Sequence, residues 1–104
     1  MDRNILSSLG LCAKAGKLIY GVPMIIEAMQ KGKRVYLVLE ACDTSDNTHK
    51  RINDKCSFYG VKKIRLDIDC GVLGSAVGKS SALAAVAVTD ESFYNMIGKY
   101  FAQE

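Results

Sequence analysis

Among runs that suggest chemistry, the nearest to an enzyme motif is Leu73-Gly74-Ser75-Ala76-Val77-Gly78-Lys79-Ser80, whose Gly-Lys-Ser ending matches that of a phosphate-cradling loop. Its spacing does not fit. Such a loop needs a glycine five residues before Gly78, where Leu73 stands, and its lysine opens a helix, whereas Lys79 leads toward an apolar strand. Gly74 and Gly78 read instead as a close-packing point and a helix end. His49 is the single histidine. At helical spacing its neighbours are Ser45, Asn53 and Lys50, so it reads as an exposed helix residue, and Cys56, seven residues on, reads as core rather than as its nucleophilic partner. Glu40, Asp43 and Asp46 offer carboxylates, but they are expected to cap helices, and nothing marks a pair for acid-base work. Cys12, Cys42, Cys56 and Cys70 lie 30, 14 and 14 residues apart without a C-x-x-C pair, which predicts four reduced thiols packed as small core residues and no metal site. No nucleophile, base and orienting residue come together. The expectation is a protein that is not an enzyme and uses neither cofactor nor metal.

Binding chemistry is better represented. Lys14-Ala15-Gly16-Lys17 and Lys31-Gly32-Lys33-Arg34 are basic, glycine-containing turns, and Gly21 opens a helix whose first amides can accept a phosphate. Residues 14–65 hold eleven Lys or Arg against five Asp or Glu, although the whole chain carries only +3. A positive field concentrated in the central half suits an anionic partner such as nucleic acid.

The elements that position these residues alternate. Asn4 is expected to cap a first helix with Ile5, Leu6, Leu9, Cys12 and Ala13 on its inner face, and Lys17 to Tyr20 forms a short strand. A second helix from Gly21 to Gly32 tolerates Pro23 in its first turn; Val22, Ile25, Ile26 and Met29 face inward while Met24, Glu27 and Lys31 face outward. The continuous apolar run Val35 to Leu39 predicts a central strand covered on both faces. Asp43 or Ser45 caps a third helix with Thr48, Ile52, Cys56 and Tyr59 inward and Lys50, Arg51 and Lys55 in solvent, ended by Gly60. Ile64 to Ile68 alternates, as an edge strand does. Asp69 caps a short helix around Val72, Leu73, Ala76 and Val77; Ala84 to Val88 is a further apolar strand; Asp90 caps a last helix with Phe93, Met96, Ile97 and Tyr100 inward. The α-β-α-β-α-β-α-β-α order predicts an α/β fold, a three-layer α-β-α sandwich with a central sheet of about four strands.

At 104 residues, nearly half of them apolar and a quarter charged, the chain is expected to form one domain over 1–104 with one core. Met1 to Leu11 lacks the pattern of an export signal, and no apolar run approaches the roughly 20 residues a membrane span needs, so a cytoplasmic, monomeric protein without a membrane partner is expected.

Leu9-Gly10-Leu11-Cys12-Ala13-Lys14-Ala15-Gly16-Lys17-Leu18-Ile19-Tyr20-Gly21 resembles the bacterial YlxQ-like ribosomal proteins, in the superfamily of ribosomal protein L-seven-Ae. Further matches follow in the same order: Leu37 to Thr48, Asp54-Lys55-Cys56 with Tyr59, Leu73-Gly74, Gly78-Lys79 and Val86-Ala87-Val88-Thr89-Asp90. The resemblance implies the three-layer fold and binding of kink-turns, which are sharply bent RNA helices with a bulge and tandem G·A pairs, in ribosomal or other structured RNA. It also implies a ribosome or ribosomal RNA as partner. Members read the kink with a Gly, any residue, Asn, Glu and a later Lys at the start of the second helix; the matching positions here are Gly21, Val22, Pro23, Met24 and Glu27. Pro23 has no amide hydrogen, Met24 cannot accept a hydrogen bond from a guanine edge, and Glu27 repels phosphate. The second contact implied is the loop of Gly78, Lys79, Ser80, Ser81, Ala82 and Leu83, which covers a bulged base, with Lys14, Lys17, Lys31, Lys33 and Arg34 holding the RNA backbone. The alternative is a protein-interaction module on the same fold, its reading helix converted to an apolar patch of Val22, Pro23 and Met24.

Overall fold

The computed structural model describes residues 3–101, with side chains from Ile5 onward. Nine elements alternate: α1 (Arg3–Lys14), β1 (Leu18–Tyr20), α2 (Val22–Gln30), β2 (Leu37–Glu40), α3 (Asp46–Tyr59), β3 (Lys62–Arg65), α4 (Cys70–Ala76), β4 (Ala85–Val88) and α5 (Glu91–Gly98). The sheet order is β1-β4-β2-β3, with β2 and β3 parallel and β4 antiparallel to both of its neighbours. The anticipated three-layer sandwich is therefore present, with a mixed sheet.

Pleat alternation divides the core. Leu18, Leu37, Leu39, Val86 and Val88 project from one face onto Ile5, Leu9, Leu73 and Ile97 of α1, α4 and α5. Val38, Ala85 and Ala87 project from the other onto Val22, Ile25, Ile26 and Met29 of α2 and Ile52 and Cys56 of α3. Because β2 and β4 are covered on both sides, all eight of their residues are buried, as the apolar runs required. Each fully buried Leu or Ile contributes about 2–5 kcal/mol against truncation to Ala.

Caps and turns fix the ends. Ser45 Oγ accepts from the Thr48 amide and caps α3; Asp69 and Asp90 do the same for α4 and α5. Asp43, the other candidate for α3, is used elsewhere: its Oδ1 accepts from the Cys70 amide at 2.8 Å, so two aspartates satisfy the first turn of α4. Gly60 ends α3 in the left-handed region with φ 69°. Asn4 falls within α1, not before it, and its side chain lies outside the described residues.

Four expectations need correction. β2 starts at Leu37, two residues later than the apolar run, because Val35 and Tyr36 still belong to the approach from α2. β3 spans Lys62–Arg65 rather than Ile64 to Ile68, since its register follows parallel pairing with β2; its place at an edge is as expected. Tyr59 is exposed, because the last turn of α3 borders an open recess with Val35 and Val61. Cys42 is exposed rather than packed in the core, although Cys12 and Cys56 are buried.

Candidate nucleic-acid interface

The ends of the strands define two ends of the molecule. Glu40 of β2 lies beside Ala85 and Arg65, and Tyr20 of β1 pairs with Val86, so Tyr20, Gly21, the entry to β4 and the exits of β2 and β3 gather at one end. Leu37, Lys62, Leu18 and Val88 mark the other.

At the Glu40 end, the chain leaves β1 through Gly21, whose φ of 84° is open to glycine and strained for any other residue. Its amide donates to the Ala85 carbonyl at 3.0 Å, tying the start of α2 to the entry of β4. The first amide returned into the helix is that of Ile25, to the Gly21 carbonyl. Pro23 removes one donor from this turn, which leaves the amides of Val22 and Met24 as first-turn donors without an intrahelical acceptor. Val22 itself is buried in the core, so the apolar patch anticipated from Val22, Pro23 and Met24 shrinks to Pro23 and Met24, the latter 56% exposed.

The neighbouring loop runs from Gly78 to Leu83. A Cβ on Gly74 would lie 2.2 Å from the Ser81 carbonyl oxygen, so a bare α-carbon is what lets the loop cross α4. Gly78 has φ 77°, and the Lys79 amide donates to the Gly74 carbonyl at 2.9 Å. These are the packing and helix-end roles expected of the two glycines. Ser80, Ser81 and Ala82 are exposed, while Leu83 is partly buried against the core with its amide bonded to Cys70. Lys79 Nζ lies over the Tyr20 ring, 4.2 Å from its centroid, and brings a cation to the β1–α2 junction. Burial, and then Cys12, push the Tyr20 phenol above its ordinary value, so the ring stays neutral beneath that cation. The helix start and the loop, 57 residues apart between Gly21 and Gly78, are thus neighbours.

The basic turns are not part of this surface. Lys14 and Lys17 flank the entry to β1, where the Lys17 carbonyl accepts from both the amide and the hydroxyl of Thr89 at 3.0 Å. Lys31, Lys33 and Arg34 precede Tyr36, whose amide bonds the Val88 carbonyl at 2.9 Å. Both turns therefore sit at the Leu37 end, and Lys31 lies about 15 Å along α2 from Gly21. Glu27, on the outward face, is ion-paired with Lys31 at 2.7 Å; that hydrogen bond, with the Lys31 charge, holds its carboxyl below the usual carboxylate value. Its repulsion toward phosphate is partly neutralised in place, and Lys31 is correspondingly engaged.

Sequence reasoning missed a charged network beneath the Glu40 end. Glu40 is 0% exposed; Lys63 Nζ donates to it at 2.6 Å, the Thr44 hydroxyl donates to the same carboxylate, and His49 Nδ1 lies 2.9 Å from each of its oxygens. A carboxylate at Nδ1 assigns the proton to that nitrogen, and Nε2, 3.0 Å from the Asn53 amide nitrogen, is then the acceptor. His49 is therefore a partner of a buried carboxylate rather than an exposed helix residue. Burial alone would raise the Glu40 pKa, but the hydrogen bonds from Lys63, Thr44 and His49 outweigh it and hold the carboxyl below its ordinary value. Arg65 extends the scaffold by donating to the Cys42 carbonyl at 3.0 Å. The signal available beforehand was a glutamate ending an otherwise apolar strand; its partner Lys63 lies on another strand.

This network holds structure and leaves no nucleophile poised. Both His49 nitrogens are committed away from Cys56, whose thiol is pushed up by burial despite the lowering effect of Lys63. Burial, then Asp90, raises the Cys12 thiol to about 11; burial, then the hydrogen bond with Asp43, raises the Cys70 thiol to about 11. Thiols so raised carry almost no thiolate at neutral pH.

Residues 3–97 match the model of the Ribosomal protein L7Ae/L30e/S12e/Gadd45 family. The chain belongs to this family. It is 38% identical over 89 residues to the RNA-binding protein YlxQ of Bacillus subtilis (strain 168), a match covering 86% of each chain, and 38% identical over 59 residues to YlxQ of Enterococcus faecium, covering 57% of this chain and 56% of that one. Its fold matches that of a protein of unknown function from Bacillus halodurans C with a TM-score of 0.84 and 31% identity, covering 94% of this chain and 96% of the other. Within this L7Ae-family frame, Gly21, Pro23, Met24 and Glu27 occupy the first two turns of α2 and Lys79 to Leu83 the adjoining loop. Among the described residues no helix is long and apolar enough to cross a membrane.

Proposed function

We propose that this chain is a non-catalytic RNA-binding protein that engages kink-turn-like structured RNA, in the ribosome or bound to it, acting as a cytoplasmic monomer with residues 1–104 as one domain. The observation that carries this reading is the junction of the α2 start with the loop before β4, where Lys79 stands over Tyr20, in a chain similar along most of its length to a protein named as RNA-binding. The free amides of Val22 and Met24 and the Lys79 ammonium meet a bent phosphate backbone, while Ser80, Ser81, Ala82 and Leu83 cover an extruded base. Recognition here rests more on shape and backbone than on base edges, because Pro23 and Met24 supply no polar side chain to the sheared pairs.

Titration of a kink-turn RNA at several salt concentrations tests the reading. Binding that weakens with salt is expected, and no binding at low salt would reject it. Replacing Pro23→Asn, Met24→Glu and Glu27→Lys together, which installs the pattern of the resembling family, is expected to tighten binding at least tenfold.

A second reading is favoured by the exposure of Met24 beside Pro23: a protein partner docks on the start of α2. Partners that survive nuclease treatment in a pull-down would support it, and their loss on treatment supports RNA.

A further inference from the structure

At the Leu37 end, remote from the surface assigned above, the last turn of α3 and the turn before β2 enclose a recess of about 310 Å³. Val35 and Val61 contribute apolar surface, Tyr59 an aromatic side, and Lys33 and Arg34 cations. Phe58, next to it, is 79% exposed and meets Tyr59 edge-on at 4.9 Å between centroids. A large, nearly bare phenyl group is costly to leave in water, and here it adjoins the basic, aromatic-sided recess through its contact with Tyr59.

The cations are set by the fold. Arg34 donates from Nη1 to the Tyr36 hydroxyl at 3.3 Å, and the Tyr36 ring stacks on Tyr94 of α5 at 5.7 Å, so its guanidinium is partly engaged before any ligand arrives. Glu91 offsets part of its charge. Lys33 is exposed and makes no ion pair among the described residues, which leaves its ammonium available; Lys62, at the adjoining start of β3, is exposed as well. Aromatic faces beside lysine and arginine are what single-stranded nucleic acid requires: π-faces for unpaired bases and cations for the phosphates between them.

We propose that this recess is a second RNA site that takes an unpaired nucleotide of an RNA chain, its base against Tyr59, the next base on Phe58, and the intervening phosphate on Lys33 and Arg34. The inference shares the RNA reading given above but uses none of the same residues. A protein with both sites holds a bent RNA helix at the Glu40 end of the sheet and a single-stranded segment at the Leu37 end.

The test uses the full chain and two probes: a fluorescein-labelled single-stranded decauridylate, and a blunt-ended kink-turn duplex without unpaired tails. Phe58→Ala and Tyr59→Ala are each expected to weaken decauridylate binding about tenfold, while Tyr59→Phe binds as the parent does, and Lys33→Ala lowers the salt slope by about 0.7. All four variants bind the blunt kink-turn within twofold of the parent. Phe58 packs too little to be needed for folding, so its truncation leaves the thermal melt unchanged. No binding of decauridylate at low salt, or unchanged binding by Phe58→Ala, overturns the second site; so does uridine monophosphate competing as strongly as the decamer, since the recess would then be a free-nucleotide pocket. Loss of kink-turn binding alone, with decauridylate binding intact, rejects the helix-start reading and leaves this one standing.

Discussion

At the Glu40 end of the sheet one carboxylate is locked in a buried network, whereas four cations on the turns at the Leu37 end stand in solvent. Glu40 is sealed from water and held by Lys63, His49 and Thr44; Lys14, Lys17, Lys33 and Arg34 are exposed on turns. A buried ion pair fixes geometry at the risk of a large loss if either member goes, while exposed cations contribute almost nothing to folding and are available to a partner. The contrast separates scaffold from contact: the locked end holds the exits of β2 and β3 in place beside the helix start and loop that shape one surface, and the open end offers charge.

Removing one member of the locked group is expected to have the largest effect. Lys63→Ala strips the buried Glu40 carboxylate of its ammonium partner, leaving only Thr44 and His49, and is expected to cost about 3–5 kcal/mol in urea denaturation. The exposed counterpart, Glu27→Ala, removes the pair with Lys31 and is expected to leave the midpoint unchanged. Equal effects from the two variants would erase the distinction.

Next in size is Gly74→Ala. Its Cβ would sit 2.2 Å from the Ser81 carbonyl oxygen, and the backbone must shift at a cost of about 1–3 kcal/mol. Because the shift falls on the loop carrying Lys79, kink-turn affinity is expected to drop as well, with decauridylate binding unaffected; a calorimetric melt and two titrations measure both.

Acid provides a smaller, graded effect. The Glu40 carboxyl is lowered from 4.5 when folded, so its contribution to stability is complete above about pH 4.5, the value regained on unfolding, and is lost as pH falls through the lower folded value. Asp43, lowered chiefly by its hydrogen bond with Cys70, acts in the same direction. The melting temperature is expected to fall below about pH 4.5, and less so in a Glu40→Gln, Lys63→Met double variant measured against its own neutral value. Identical pH profiles would mean that the buried carboxylate contributes no linkage.

Much of this architecture could be read from spacing. Helical periodicity marked the inner faces of α1, α2 and α5; glycine and aspartate marked the turns at Gly60 and the caps at Asp69 and Asp90, because these signals are local. Tyr59 escaped the same reasoning: it continues the inward stripe of Ile52 and Cys56, yet its turn borders an open recess, and periodicity carries no information about where a neighbouring layer stops. The Glu40 network escaped for a related reason. Lys63 is 23 residues from Glu40, and only the parallel register of β2 with β3 brings them together. Adjacency of the α2 start and the loop before β4 could be anticipated from resemblance, but the grouping of all lysines with them could not be sustained, since a chain that reverses at α2 sends Lys31, Lys33 and Arg34 to the opposite end. Charge counted along the sequence merged two surfaces that the topology separates.

In the function proposed above, kink-turn RNA meets the Gly21 and Lys79 end and not the basic turns. Affinity for a blunt kink-turn RNA measured against salt in Lys79→Ala and in Lys17→Ala combined with Lys33→Ala tests it most directly. Lys79→Ala is expected to weaken binding and lower the salt slope by about 1, with the Lys17 and Lys33 variant matching the parent. The opposite pattern, an unchanged Lys79→Ala and a flattened slope in the double variant, would place the RNA on the basic turns instead.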